Sequence, residues 1–202
     1  MLAAVLDGTI VTLSETAVAL ALDLSEDARS EVARGAILRG APKSKAAALS
    51  ALRLDPALAE AHNSLGVVEL CYEWHWDAAE RELRRAIELN PRYGDAHQRY
   101  GIYLTAMGRF TEAHVALAKA QESDPLSRII ATIAGYPSYY SRDYDAAVRQ
   151  FRHVSQIDPN FSMAHFRLGL TWAQMGQYDR ALEELSISKG LSNDRDVVAA
   201  LG

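Results

Sequence analysis

The stretch RYGDAHQRYGIYLTAMGRFTEAHVALAKAQESDP, residues 92–125, decides the fold, because the chain on either side of it repeats its pattern. It closes on Asp124-Pro125. Similar endings stand at Asp55-Pro56, Asn90-Pro91 and Asp158-Pro159, so the prolines are 35, 34 and 34 residues apart. A further step of 34 lands on Asn193, another residue that favours turns. Five columns align at this period. The first is Gly66, Gly101, Gly135 and Gly169. The second is aromatic: Trp76, Phe110, Tyr144 and Tyr178. The third is Ala79, Ala113, Ala147 and Ala181. The fourth is Leu83, Leu117, Phe151 and Leu185, and the fifth is Ala86, Ala120, Val154 and Ser188.

Each column has a physical reason. The glycine on a first helix (A) and the third-column alanine on a second (B) are small, so the two axes approach closely. The aromatic enters helix B and fills the wedge between the pair. The fifth column is small because the next A helix packs there. Proline lacks an N–H and pushes its predecessor out of the α region, which stops helix B. One helix pair cannot bury its apolar faces alone, so neighbours must stack. The pairs are predicted at 58–72/77–89, 93–107/110–122, 127–141/144–156 and 161–175/178–190, with no β-sheet. Two departures stand out. Gly66 to Trp76 spans ten residues where the other repeats take nine, and Pro137 falls inside an A helix, where it should kink the helix.

A 34-residue period with this order of columns identifies the chain as resembling tetratricopeptide-repeat proteins. The fold this implies is all-α, a right-handed solenoid of antiparallel helix pairs. The resemblance covers about residues 42–193. It gives a partial repeat at 42–57, full repeats at 58–91, 92–125, 126–159 and 160–193, and a truncated repeat at 194–202. Narrower strings also carry a likeness: Tyr72-Glu73-Trp74-His75-Trp76-Asp77, Arg84-Arg85-Ala86-Ile87-Glu88-Leu89-Asn90-Pro91, and Ala106-Met107-Gly108-Arg109. They are similar to the C-terminal repeat region of bacterial signalling proteins, where repeats follow a winged helix, a cyclase or a kinase. That implies an interaction or sensory region and no chemistry.

Outside the repeats, residues 1–41 form an N-terminal segment expected to be helical. A helix is expected to begin near Ser14. A second starts after Ser25, with Glu26 and Asp27 in its first turn, and ends at Gly40 and Pro42. Lys43 to Leu54 reads as helix B of the incomplete leading repeat. The apolar start lacks the basic residues of a signal peptide, since the first is Arg29, and Asp7, Glu15 and Asp23 interrupt any membrane span. A net charge of −5 over 202 residues gives no electrostatic grip on a phosphate backbone, so nucleic acid is not an expected partner. The single cysteine, Cys71, has no internal partner, and a cytoplasmic setting is expected.

Candidate chemistry is sparse. His62, His97 and His165 recur four residues before the glycine. Successive A helices lie about 10 Å apart, too far for shared metal bonds near 2 Å, so the column is read as packing. Cys71 and His75 lack a third or fourth ligand nearby, and Trp74 and Trp76 are read as wedge residues. No phosphate loop, zinc-protease helix or nucleophile elbow is present, so no enzyme activity, metal or cofactor is expected.

The resemblance places the binding groove on the A helices: Asn63, Val67 and Leu70, then Gln98, Ile102 and Thr105, then Thr132, Tyr136 and Tyr139, then Phe166, Leu170 and Ala173. A family clamp for acidic chaperone tails would want lysine and arginine here, and only Asn63 fits. An apolar, tyrosine-bearing groove suits an extended peptide or an amphipathic helix. The expected function is a protein–protein interaction scaffold in bacterial signalling. The rival is a region of a transcription regulator or kinase that senses a small ligand, and residues 1–24 are a competing occupant of the groove.

Residues 194–202 start a new helix in which Val197, Val198 and Leu201 share an inward face without a B helix after it. Such an end is expected to fray or to pair with a second copy, forming a homodimer. Light scattering over a concentration series, with hydrogen exchange at the C-terminus, tests this. A monomer throughout with a strongly protected C-terminus would refute both outcomes.

Overall fold

The structure, a computed structural model, describes residues 31–191. The helix expected near Ser14, the start after Ser25 and the end at 194–202 lie outside the described residues. Among the described residues every element is helical, and no helix is long and apolar enough to cross a membrane. The chain divides into two compact units at Ser123 and Asp124.

In the first unit, α1 runs Glu31–Leu54 and packs on α2, Ala59–Val68. A π-helical turn, Glu69–Glu73, continues α2. α3 is Trp76–Leu89, α4 Gly94–Ala106 and α5 Phe110–Ser123. The second unit holds α6 Arg128–Ile133, α7 Tyr136–Tyr140, α8 Tyr144–Ile157, α9 Ser162–Gln174 and α10 Tyr178–Leu191. Helices pair as A with B: α2 with α3, α4 with α5, α6 and α7 with α8, and α9 with α10.

Two expectations need correction. The sequence pattern ends one helix at Gly40 and Pro42 and starts another at Lys43, whereas α1 runs through Pro42 without a break. Proline deletes one N–H and bends a helix, but it does not oblige the chain to stop when a neighbouring helix covers the turns beyond it. At Pro137 the expected kink is a break. Helix A divides into α6 and α7, and the proline sits in the first turn of α7, where no intrahelical N–H is needed.

The columns show why the pairs close. A Cβ built on Gly66 would lie 2.7 Å from Leu83 Cγ, on Gly101 2.5 Å from Leu117 Cγ, on Gly135 2.4 Å from Phe151 Cε1, and on Gly169 2.7 Å from Leu185 Cγ. The glycine is thus the socket for the large fourth-column residue of its own repeat. The third column, Ala79, Ala113, Ala147 and Ala181, is buried, as is the fifth. Ser188, the polar member of the fifth column, shares a 2.9 Å hydrogen bond between its hydroxyl and that of Ser162. The aromatic column is less uniform. Tyr144 meets Tyr139 edge-on at 6.0 Å; in the fourth repeat that partner place is Ala173, and Tyr178 is 68% exposed.

The turn between repeats is the same motif four times. The carboxylate or amide oxygen of Asp55, Asn90, Asp124 and Asp158 accepts from the N–H two residues on, at Ala57, Arg92, Leu126 and Asn160. This Asx turn carries the chain around the proline. The turn inside each repeat places one residue in the left-handed region: Gly108 and Gly176, but also Arg142 (φ 66°) and Trp74 (φ 59°). In the second and fourth repeats the closing bond spans five residues, Arg109 N–H to the Leu104 carbonyl and Gln177 N–H to that of Trp172. In the first it spans six, His75 N–H to the Glu69 carbonyl. The inserted residue is absorbed there as the π turn, so the columns after it stay in register.

Gly101→Leu should force Leu117 from its socket and lower stability by about 1–3 kcal/mol. A thermal melt matching the wild type would show that the socket is not a constraint.

Candidate functional site

The A-helix residues predicted to line a groove are α2, α4, α6, α7 and α9 positions, with Leu70 on the π turn that continues α2. Most are more deeply buried than an open surface requires. Asn63, Leu70, Gln98, Ile102, Thr105, Thr132, Tyr136 and Phe166 are buried, while Val67, Tyr139, Leu170 and Ala173 keep partial exposure.

Several of these places pack against their own repeat. Leu70, at the start of the π turn, belongs to the core of the first unit with Leu83 and Leu104. Thr105 and Thr132 are fully buried, and their hydroxyls donate to the Gly101 and Arg128 carbonyls of their own helices. Tyr136 packs edge-on to Phe151 at 6.5 Å with the Arg167 guanidinium 4.6 Å over its ring. Phe166 joins Leu185 and Leu170. The physical reason is the socket itself: pulling B against A turns residues beside the glycine into the space between helices. Tyr139 meets Tyr140 and Tyr144 edge to face, at 5.2 and 6.0 Å, so these rings fill space with one another.

Asn63 stands apart. It is 8% exposed, its amide nitrogen reaches the Tyr93 hydroxyl only at 3.5 Å, and its Oδ1 is buried without a hydrogen-bond partner. A buried amide oxygen without a donor is costly, by about 1–3 kcal/mol, unless a ligand supplies one.

The histidine column has a structural role that its spacing did not reveal. Nε2 of His62, His97 and His165 lies 3.1, 2.9 and 3.0 Å from the carbonyl of Pro56, Pro91 and Pro159. A carbonyl only accepts, so Nε2 donates in each. The ring fastens helix A to the turn before it. Nδ1 of His62 and His165 reaches Glu82 and Glu184, each at 2.7 Å, on the B helix of the same repeat.

The π turn gathers charges that the spacing of Cys71 and His75 does not disclose. Glu69, Glu73 and His75 bring their ligand atoms within 4.8 Å of one another. The Lys45 ammonium from α1 already occupies this cluster, 2.9 Å from Glu69 and 2.5 Å from Glu73, and His75 Nδ1 is 2.9 Å from Glu69. Burial alone would raise the Glu69 carboxyl, but hydrogen bonds from Lys45 and His75 outweigh it and hold the group below its usual range. The same contacts raise Lys45. Cys71 is free and half-buried, and burial pushes its thiol up to about 11, which keeps it protonated and a poor metal ligand.

A second network lies on the B side of the first unit. Glu80 accepts from the Tyr100 and Tyr103 hydroxyls, both at 3.1 Å, and from Arg109 at 2.7 Å. Burial would raise Glu80, yet these donors hold it low. With its ionic groups satisfied internally, the network offers no free base or nucleophile.

A family model for the tetratricopeptide repeat matches residues 75–129 and 138–194, more than half of the chain. Anaphase-promoting complex subunit 3 of Schizosaccharomyces pombe is 25% identical over 144 residues, which is 71% of this chain but 22% of that protein. Among solved structures, the type IV pilus biogenesis factor PilW aligns with a TM-score of 0.68 at 21% identity, over 89% of this chain and 77% of its own. YrrB, described as a repeat protein with an unusual peptide-binding site, aligns with a TM-score of 0.60 at 21% identity, over 92% and 97%. At these identities the structural likenesses show the fold alone.

The Glu69 cluster yields a pH test. A carboxyl held low when folded contributes stability above its unfolded value, and that contribution is lost as pH falls through the lower folded value. Glu69→Gln should therefore cost about 1–3 kcal/mol at neutral pH, with the deficit shrinking at a second, acid pH below the ordinary carboxylate range. Melting temperatures of both proteins at the two pH values check this; a constant deficit would assign the loss to packing.

Proposed function

Because the chain belongs to the tetratricopeptide-repeat family, we propose that it is a protein–protein interaction scaffold whose A-helix face captures an extended peptide segment of a partner. The reading rests on Asn63. Its Oδ1 is buried and unpartnered on the same helix as half-exposed Val67, and a peptide main-chain N–H is the donor that would satisfy it once the side chain turns toward the Val67 face. Val67 supplies apolar contact one turn further along α2. The peptide-binding site described for YrrB supports a peptide as ligand. The strings around Tyr72–Asp77 and Ala106–Arg109 support bacterial signalling as the setting.

Within this reading no residue performs a reaction. The scaffold's work is differential: helix pairs hold Asn63 and Val67 at fixed spacing, so a segment with the right side chains binds with little ordering cost on the protein side.

Asn63→Leu separates binding from folding. Removing an unsatisfied buried amide should leave the melting temperature equal or raise it, by about 1 kcal/mol of added stability. Capture of the host partner, identified by mass spectrometry, should weaken roughly tenfold or more. Val67→Glu should abolish capture with helical content intact. If Asn63→Leu melts lower and captures normally, the amide is structural and the binding surface lies elsewhere.

A further inference from the structure

The residue three places after the socket glycine is Glu69, Leu104, Ser138 and Trp172 in the four repeats. Only the fourth repeat has an aromatic ring there. Trp172 on α9 is 6% exposed, and two guanidiniums from neighbouring helices lie over its ring: Arg152 of α8 at 5.4 Å and Arg180 of α10 at 4.8 Å. Both arginines are exposed residues.

Stacking on an indole fixes a guanidinium in place while using none of its five in-plane donors. In this unit Arg128 pairs with Asp158 and His165 with Glu184, and neither contact spends a donor of Arg152 or Arg180. Elsewhere the chain uses its guanidiniums differently: Arg109 is committed to Glu80 and Glu112. Two exposed guanidiniums held against one indole form a preorganised receptor for oxyanions.

We infer that Arg152, Trp172 and Arg180 form a second binding site, distinct from the A-helix face, for the carboxylates of an extended acidic peptide. The peptide is favoured over a single compact anion because the two cations come from different helices, α8 and α10, and so offer two binding points. An extended chain places same-side carboxylates about 7 Å apart at every second residue, so one segment can present two of them. Each carboxylate then accepts a bidentate pair of N–H bonds from one arginine. The site stands whether or not Asn63 binds a peptide, because none of its residues belongs to that face.

The test uses the full chain carrying Trp74→Phe and Trp76→Phe, which leaves Trp172 as the one remaining tryptophan of three. Phe110 already fills the place of Trp76 in the second repeat. Trp172 emission is titrated with a peptide of alternating glutamate and glycine, its glutamine counterpart, and inorganic phosphate. A saturable change with the glutamate peptide alone is expected. Arg152→Gln with Arg180→Gln should weaken it roughly tenfold or more. Arg152→Lys, which keeps the charge but loses the planar fork, should weaken it to a lesser degree. Arg92→Gln with Lys119→Gln, an equal change of net charge in the first unit, should leave it unaltered, and circular dichroism should show every variant folded. The proposal is overturned by no saturable response, by an equal response to phosphate at the same concentration, or by unchanged affinity in the folded Arg152/Arg180 variant.

Discussion

At Gly66, Gly101, Gly135 and Gly169 there is no room for a β-carbon, because the large fourth-column side chain of the same repeat occupies that volume. The rest of the architecture depends on this contact. Seating Leu83, Leu117, Phe151 or Leu185 against bare backbone sets how closely B approaches A, and so buries the alanine column completely. The same approach turns Leu70, Tyr136 and Phe166 into the interior. A groove position in the linear pattern is thereby converted into a core position in three dimensions. Fewer of these positions stay exposed than the repeat alignment implies.

Successive repeats are joined by a second device. The Asx turn at each Asp-Pro or Asn-Pro bends the chain, and a histidine from the next A helix ties itself to the proline carbonyl. Proline cannot donate, but its carbonyl accepts, and the imidazole uses that acceptor. The third repeat has Ala131 in place of the histidine, and there Gln150 of α8 donates to the Ala131 carbonyl at 2.9 Å, a bond within the repeat and not to the proline turn. A column that resembles a row of metal ligands is a row of fasteners.

Irregularities in the repeat mark the places where the chain departs from generic packing. The inserted residue before Trp76 becomes a π turn that carries a charge cluster around Lys45. The aromatic after Gly169 becomes the seat of two arginines. Neither disturbs the columns on either side, because each change is confined to a turn or to the edge between neighbouring helices. Specific surface chemistry is thus added to a repetitive core without altering its spacing.

The 34-residue period, the helix pairs and their order, the four turns and the small–large alternation were all legible in the sequence, because each is local or repeats at a fixed interval. The bounds of the B helices from Trp76 onward come with them, with proline as punctuation. The tertiary structure alone decided that α1 continues through Pro42, that Pro137 breaks rather than bends its helix, and that most A-helix positions near the glycine are interior. It also decided that Lys45 reaches Glu69 from a different helix, that Asn63 keeps an unsatisfied oxygen, and that Arg152 and Arg180 meet over one indole. The reason is physical. Periodicity encodes which face of a helix is apolar, whereas burial, donor satisfaction and charge pairing depend on distances between helices, and those are set by how deeply each side chain seats in its neighbour.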